Sequence, residues 1–158
     1  MTWLLKIVSG GQTGADQGGL EAGKYLGLET GGWMPKNFMT EDGPRPDFVA
    51  RYGVREHSSP RYPPRTTANV RDAQATVWFG KTGSAGYRCA SAACNKYERR
   101  LLVVCSPKDL RDFIEAHRIR ILNVAGNRES KNPGLRELVI RTFLEAFGEP
   151  VPLSPYVP

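Results

Sequence analysis

Cysteine and histidine are too few here for the chemistry they usually signal. Cys89, Cys94 and Cys105 show no Cys-x-x-Cys spacing and have only His57 and His117 for company, so neither a zinc-ligand set nor a disulfide framework is implied. The three thiols read as small buried hydrophobes, and the two histidines as ordinary loop or surface residues. Long apolar runs are missing as well. Nothing approaches the roughly 18 residues that a membrane span requires, and Trp3-Leu-Leu-Lys-Ile-Val, followed at once by glycines and an acid, is too short for a secretory core. A cytoplasmic protein without membrane contact is the expectation. No internal repeat or low-complexity segment interrupts the 158 residues, a length suited to a single domain with one substantial core.

Charge is present in excess of one sign. Twenty-two basic against 16 acidic residues give a formal charge of +6, a surface that favours anions. Five arginines, Arg45, Arg51, Arg55, Arg61 and Arg65, fall in one proline-punctuated stretch with only Asp47 and Glu56 against them. Arginine grips phosphate or carboxylate with a planar fork, although a solvated basic face fits the composition equally well.

Apolar runs of strand length alternate with helix-like segments, the habit of an α/β fold with an open, mostly parallel sheet and helices on both faces. Strands are expected at Leu4–Val8, Leu28–Gly31, Gly53–Glu56, Ala75–Phe79, Leu101–Val104 and Ile121–Val124. Helices are expected at Ala15–Leu26, Thr66–Asp72, Tyr87–Tyr97, Lys108–His117 and Gly134–Phe147. Between the second and third strands, Trp33 to Tyr52 carries three prolines and the acidic turn Glu41-Asp-Gly, and an insertion of that length reads as a functional loop or lid. The tail from Glu149 has four prolines, so it is neither helix nor central strand.

The first strand breaks into Ser9-Gly-Gly-Gln-Thr-Gly, three glycines in five residues, as happens where backbone turns sharply or a ligand approaches it. Thr13 then caps the following helix, with Asp16 completing a Thr-x-x-Asp box. A strand, a glycine loop and a helix N-terminus make a cradle for an anion. The loop lacks G-x-G-x-x-G and the acid about 20 residues later that a dinucleotide fold needs. Gly18-Gly-Leu-Glu-Ala-Gly-Lys24 imitates a Walker loop, but Tyr25 stands where a magnesium-binding hydroxyl belongs, and the glycines read instead as close helix–sheet contacts. Two more strands run into glycine turns, Gly80 to Gly86 and Ala125 to Gly134. In an open α/β sheet the three loops converge on one crevice beyond the strand ends.

Lys6-Ile-Val-Ser-Gly-Gly-Gln-Thr-Gly-Ala-Asp, Gly31-Gly-Trp-Met-Pro-Lys, Glu41-Asp-Gly, Arg65-Thr-Thr-Ala-Asn-Val-Arg-Asp and Leu122-Asn-Val-Ala-Gly-Asn-Arg-Glu-Ser, in that order and over nearly the whole chain, resemble the molybdenum carrier family, whose members are molybdenum cofactor carrier proteins. The resemblance implies a Rossmann-like fold over residues 1–158, a homo-oligomer, and a basic pocket that holds molybdopterin with its metal without turnover. Molybdenum enzymes or cofactor-synthesis proteins would be its donors and acceptors. On that reading Gly10, Gly11, Gln12, Thr13 and Gly14 take an anionic end of the cofactor and Ser84 and Gly86 close a second side. Arg65, Thr66 and Asn69 supply side-chain donors, with Lys36 and Arg128 as further contacts. No catalytic residue and no protein metal ligand are assigned. Gly11→Asp is expected to block binding while leaving the protein folded.

The wider Rossmann-like group includes phosphoribohydrolases with a G-G-x-G-T-x-x-E motif and DNA-processing DprA proteins. Over that motif's frame this chain has Gly83-Ser-Ala-Gly-Tyr-Arg-Cys-Ala, with Tyr87 in place of threonine and Ala90 in place of the catalytic glutamate. N-glycosidic hydrolysis depends on a placed carboxylate, so the departure argues against turnover; with Asp16, Glu41 and Asp42 as substitute carboxyls, a nucleotide-binding or nucleotide-hydrolysing enzyme remains the alternative. Nucleic acid is not an expected partner, because no stacking platform or recognised DNA-binding motif accompanies the charge.

Overall fold

A computed structural model describes residues 3–150. Its elements in chain order are β1 (Lys6–Val8), α1 (Ala15–Tyr25), β2 (Glu29–Gly31), β3 (Trp33–Met34), a 3-10 turn (Lys36–Phe38), β4 (Met39–Thr40), β5 (Gly43–Pro44), α2 (Phe48–Tyr52), β6 (Arg55–Glu56), α3 (Tyr62–Asp72), β7 (Ala75–Phe79), α4 (Ala85–Tyr97), β8 (Arg100–Val103), α5 (Pro107–His117), β9 (Ile121–Gly126) and α6 (Leu135–Ala146). Five strands form one parallel sheet in the order β2-β1-β9-β7-β8, a Rossmann-like α/β fold.

Every residue of β7 is buried because helices cover both of the sheet's faces. By the strand's two-residue period, Ala75, Val77 and Phe79 join the main core with residues of α1, α5 and α6, including Ala22, Leu110, Ile114, Val139 and Phe143. Trp78 points the other way and meets Tyr87 of α4 edge-on, with ring centroids 5.3 Å apart. Asn123 of β9 faces that side too, donating to the Thr76 hydroxyl at 3.1 Å. Added side chains at Gly19 and Gly23 would run into Val124 and Thr30, so these glycines press α1 against the sheet, as the sequence suggested.

The strand order places the ligand crevice. From β1 the chain steps outward to β2, and from β7 it steps outward the other way to β8. The last strand, β9, slots between β1 and β7, so the chain's direction reverses at the three central strands and their carboxyl ends open into a gap.

Three expectations need correction. The strand expected at Gly53–Glu56 is not in the main sheet: Arg55–Glu56 pairs only with Trp33–Met34, because Gly53 turns the chain with a φ of 71°. The 33–52 insertion is a small packed body of its own. A hairpin of β4 and β5 and the short α2 bury Met34, Phe48, Tyr52 and Val54 against Leu20 of α1. Of the cysteines, Cys94 alone is buried; Cys89 is half-buried and Cys105 is exposed. The proline-rich tail lies outside the described residues from position 151 onward. Among the described residues no helix is long and apolar enough to cross a membrane, and no cluster of three or more His, Cys, Asp or Glu side chains is arranged to hold a metal ion.

Candidate functional site

The loops after β1, β7 and β9 are stitched together by polar side chains. Asn127, after β9, accepts from the Lys81 N–H of the β7 loop at 2.6 Å, and its own carbonyl takes the Ala15 N–H at the start of α1. Thr13, in the β1 loop, accepts from Glu129 N–H at 3.1 Å. The Gln12 Oε1 accepts from Thr13 and from Glu41 N–H, and Ser130 donates to Glu41 Oε2, which ties the 33–52 insertion to the same rim. Four segments distant in sequence thus hold one another in place.

Between them, α3 and α4 bound a cleft of about 770 Å³, within the range of small-molecule sites. Gln12, Asp16 and Arg65 come from the β1 loop, α1 and α3, the exposed Tyr62 ring gives it a flat wall, the buried Trp78 reaches it only at an edge, and Lys81, Arg128 and Lys131 come from the β7 and β9 loops. Four cations and one carboxyl line it, and Arg128 also lies 3.9 Å from Glu41 at the rim. Ser84 caps α4, accepting from Tyr87 N–H at 3.2 Å, so the remaining N–H groups of that helix's first turn are directed toward the cleft around Gly86.

Asp16 and Arg65 form the cleft's buried ionic pair, with Arg65 Nη1 3.7 Å from Asp16 Oδ2. The same Oδ2 accepts from Gln12 N–H at 3.2 Å. Burial raises the Asp16 carboxyl from its ordinary 3.8 to about 6, against the lowering pull of Arg65 and of the Gln12 N–H. Arg65 is only 9% exposed. It donates from Nη1 to the Thr66 hydroxyl at 2.8 Å, while its Nε is buried without a partner. Its plane lies over Gly10, where an added Cβ would overlap the guanidinium, and 5.3 Å from the centre of the Tyr62 ring. Cys89 also lines the cleft; burial pushes its thiol up despite the opposing pull of Arg65.

Of the residues singled out from sequence, Gln12, Arg65, Thr66, Ser84, Gly86 and Arg128 line this cleft, and Gly10 lies beneath Arg65. The others are elsewhere. Thr13 and Gly14 border a second hollow of about 220 Å³ with Asp42 and Glu129. Thr13 does not cap α1; Gly14 holds that position with no side-chain hydrogen bond, because the Thr13 hydroxyl is taken by Glu129. Asn69 exchanges two hydrogen bonds with the backbone of Trp33. Lys36 is exposed on the insertion, its N–H bound to the Ser59 carbonyl.

Gly11 faces away from the cleft. With a φ of 72° it turns so that an added Cβ would stand 2.6 to 2.8 Å from Met34 Sδ, Cε and Cγ. The expectation that Gly11→Asp blocks a ligand in a folded protein is accordingly replaced by a loss of stability. Gly10→Ala is the informative substitution. Its methyl meets the far end of a flexible side chain, so the protein should remain folded while Arg65 is displaced. A fall of about tenfold in ligand affinity, set by the about 1.5 kcal/mol of a charge-assisted hydrogen bond, with an unchanged circular dichroism spectrum, is the expected result.

The arginine-rich segment does not act as one basic face. Arg45 pairs with Asp47 at 2.9 Å, Arg51 lies 3.6 Å from Glu21 and Arg55 stacks 4.1 Å above Trp33; of the five, Arg65 alone lines the cleft. Sequence reasoning missed Tyr62, Trp78, Lys81, Asn127 and Lys131 as cleft residues, and treated Asp16 as a cap. Lys81 and Lys131 carried a usable signal, since both lie in the glycine turns that follow central strands. Tyr62 and Trp78 carried none.

The profile of the circularly permutated YpsA SLOG family matches residues 7–147. The crystal structure of the "Putative molybdenum carrier protein" from Syntrophus aciditrophicus SB superposes with a TM-score of 0.81 at 30% sequence identity, covering 92% of this chain and 95% of that one. No curated protein matches the sequence significantly.

Proposed function

Because the chain belongs to the circularly permutated YpsA SLOG family, and resembles over nearly its whole length a protein named as a molybdenum carrier, we propose that its cleft binds and stores molybdenum cofactor. The observation that carries this reading is the concentration of Arg65, Lys81, Arg128 and Lys131 around one crevice at the carboxyl ends of β1, β9 and β7. Molybdopterin presents a phosphate, a flat polar ring and an oxyanionic metal centre. A cleft with cations, helical N–H groups and the aromatic wall of Tyr62 supplies a complement to each. The cleft's volume admits a ligand of that size. Cofactor-synthesis proteins as donors, molybdenum enzymes as acceptors and a homo-oligomeric state belong to the same proposal.

Protein purified anaerobically from a cofactor-producing host should retain molybdopterin in native mass spectrometry. A nucleotide in its place, or a ligand-free protein from a host rich in cofactor, would overturn the carrier reading.

One observation favours a second reading, cleavage of a nucleotide's N-glycosidic bond: Asp16 is a cleft-lining carboxyl held near pKa 6, where a general acid would be tuned. Against it, Oδ2 is engaged by Gln12 and Arg65. Ala90, at the glutamate position of the hydrolase motif, is a fully buried methyl on α4. No free base should be released from nucleoside monophosphates at enzyme-like rates; its release would establish the hydrolase.

A further inference from the structure

The cleft is polar in two different ways at its two ends, and the difference orients a ligand. At the floor, the charge of Arg65 is already answered by Asp16 at 3.7 Å, and both residues are buried. A phosphate placed there would meet a carboxylate in a poorly solvated site, where like charges repel strongly. At the rim, Lys81 and Lys131 are exposed and form no ion pair among the described residues, so the uncompensated positive charge is at the mouth.

The floor has unused hydrogen-bonding capacity of two complementary kinds. Asp16 Oδ2 takes the Gln12 N–H, whereas Oδ1 accepts nothing among the described residues. Among the described residues Arg65 donates from Nη1 to Thr66; its Nε is shut away against Gly10, and its Nη2 makes no hydrogen bond, which leaves Nη2 as the free donor. An acceptor and a donor thus stand side by side on the cleft floor, with the Tyr62 ring as a flat flank. Their complement is a planar ring edge with an N–H next to a C=O. A buried donor left unmatched is costly, so such a floor discriminates sharply by edge pattern.

We propose that Asp16 and Arg65 read the lactam edge of a planar heterocycle, the N–H and C=O shared by pterins and guanine, while the ligand's anionic group lies outward against Lys81 and Lys131. This rests on the cleft being the ligand site and specifies which way the ligand enters. It also assigns the opening glycine loop a supporting role: Gly10 makes room for the guanidinium that reads the ring.

The test uses two pairs of probes that differ in this edge. Pterin-6-carboxylate carries the lactam, and 2,4-diaminopteridine-6-carboxylate reverses its donor and acceptor; GMP and AMP repeat the contrast on a purine. The lactam member of each pair should bind the wild type at least about tenfold more tightly. In Asp16→Asn the side-chain oxygen must stay on the Gln12 N–H, so the amide turns a donor toward the ring, and the preference should vanish or reverse. Ribose 5-phosphate, which has an anion and no ring, should be indifferent to that substitution. Lys81→Ala combined with Lys131→Ala should weaken all five probes by a similar factor and leave the preference intact. Equal affinity within each pair, a preference that survives Asp16→Asn, or binding of none of the probes would overturn the proposal. Retention of molybdopterin by a protein that fails the edge test would remove this inference and leave the carrier reading standing.

Discussion

Asp16→Asn is expected to gain about 3 kcal/mol of folding stability relative to the wild type as pH rises from 3 to 8. The Asp16 carboxyl has a folded pKa of about 6 against 3.8 for the free group, chiefly through burial. A carboxyl whose pKa is raised by folding binds its proton more tightly in the native state. Its favourable contribution is complete below the unfolded value and is lost as pH climbs through 6. A shift of about two units corresponds to about 3 kcal/mol at 1.36 kcal/mol per unit. The amide does not titrate, so it escapes this loss. Removing the acid also leaves Arg65 without its ionic partner, which adds an offset to the variant at every pH but leaves the slope unaltered. Urea denaturation of both proteins at several pH values measures the difference directly. Parallel stability curves would mean that Asp16 is solvated in the folded protein and titrates normally.

Gly11→Asp carries the second large effect, a loss of at least about 3 kcal/mol and a fall in melting temperature of roughly 6 to 12 °C. Gly11 has a φ of 72°, and its missing side chain points at Met34, a fully buried member of the cluster formed with Leu20, Phe48, Tyr52 and Val54. A carboxylate there overpacks an apolar cluster and carries a charge into it. Differential scanning calorimetry decides the matter. A normal melting temperature combined with lost anion binding would return Gly11 to the ligand site and remove it from the packing of the insertion. The contrast with Gly10→Ala is instructive, because adjacent glycines in one loop serve opposite sides of it: Gly10 admits the guanidinium on the cleft side, and Gly11 admits the thioether on the other.

The sequence by itself determined the elements whose signals are local. The buried run Ala75–Phe79 is a strand because its five apolar or β-branched residues suit a sheet covered on both faces. Glycine turns after β1, β7 and β9 were legible because they interrupt strands abruptly, and the order of strands and helices already implied a parallel sheet with its crevice at the carboxyl ends. The family resemblance was carried by those same loops. What the sequence left open depends on contacts between residues far apart in the chain. Thr13 has the chemistry of a cap, and only the arrival of Glu129 from the β9 loop decides that its hydroxyl is used otherwise. The arginine-rich segment looks uniform until Asp47, Glu21 and Trp33 claim three of its members, leaving Arg65 to enter the cleft. Asp16 acquires its raised pKa from burial against α3, a property no neighbouring residue encodes. Local propensity is a matter of a few adjacent side chains; desolvation and partner choice arise only when strand order brings the loops of β1, β7 and β9 together.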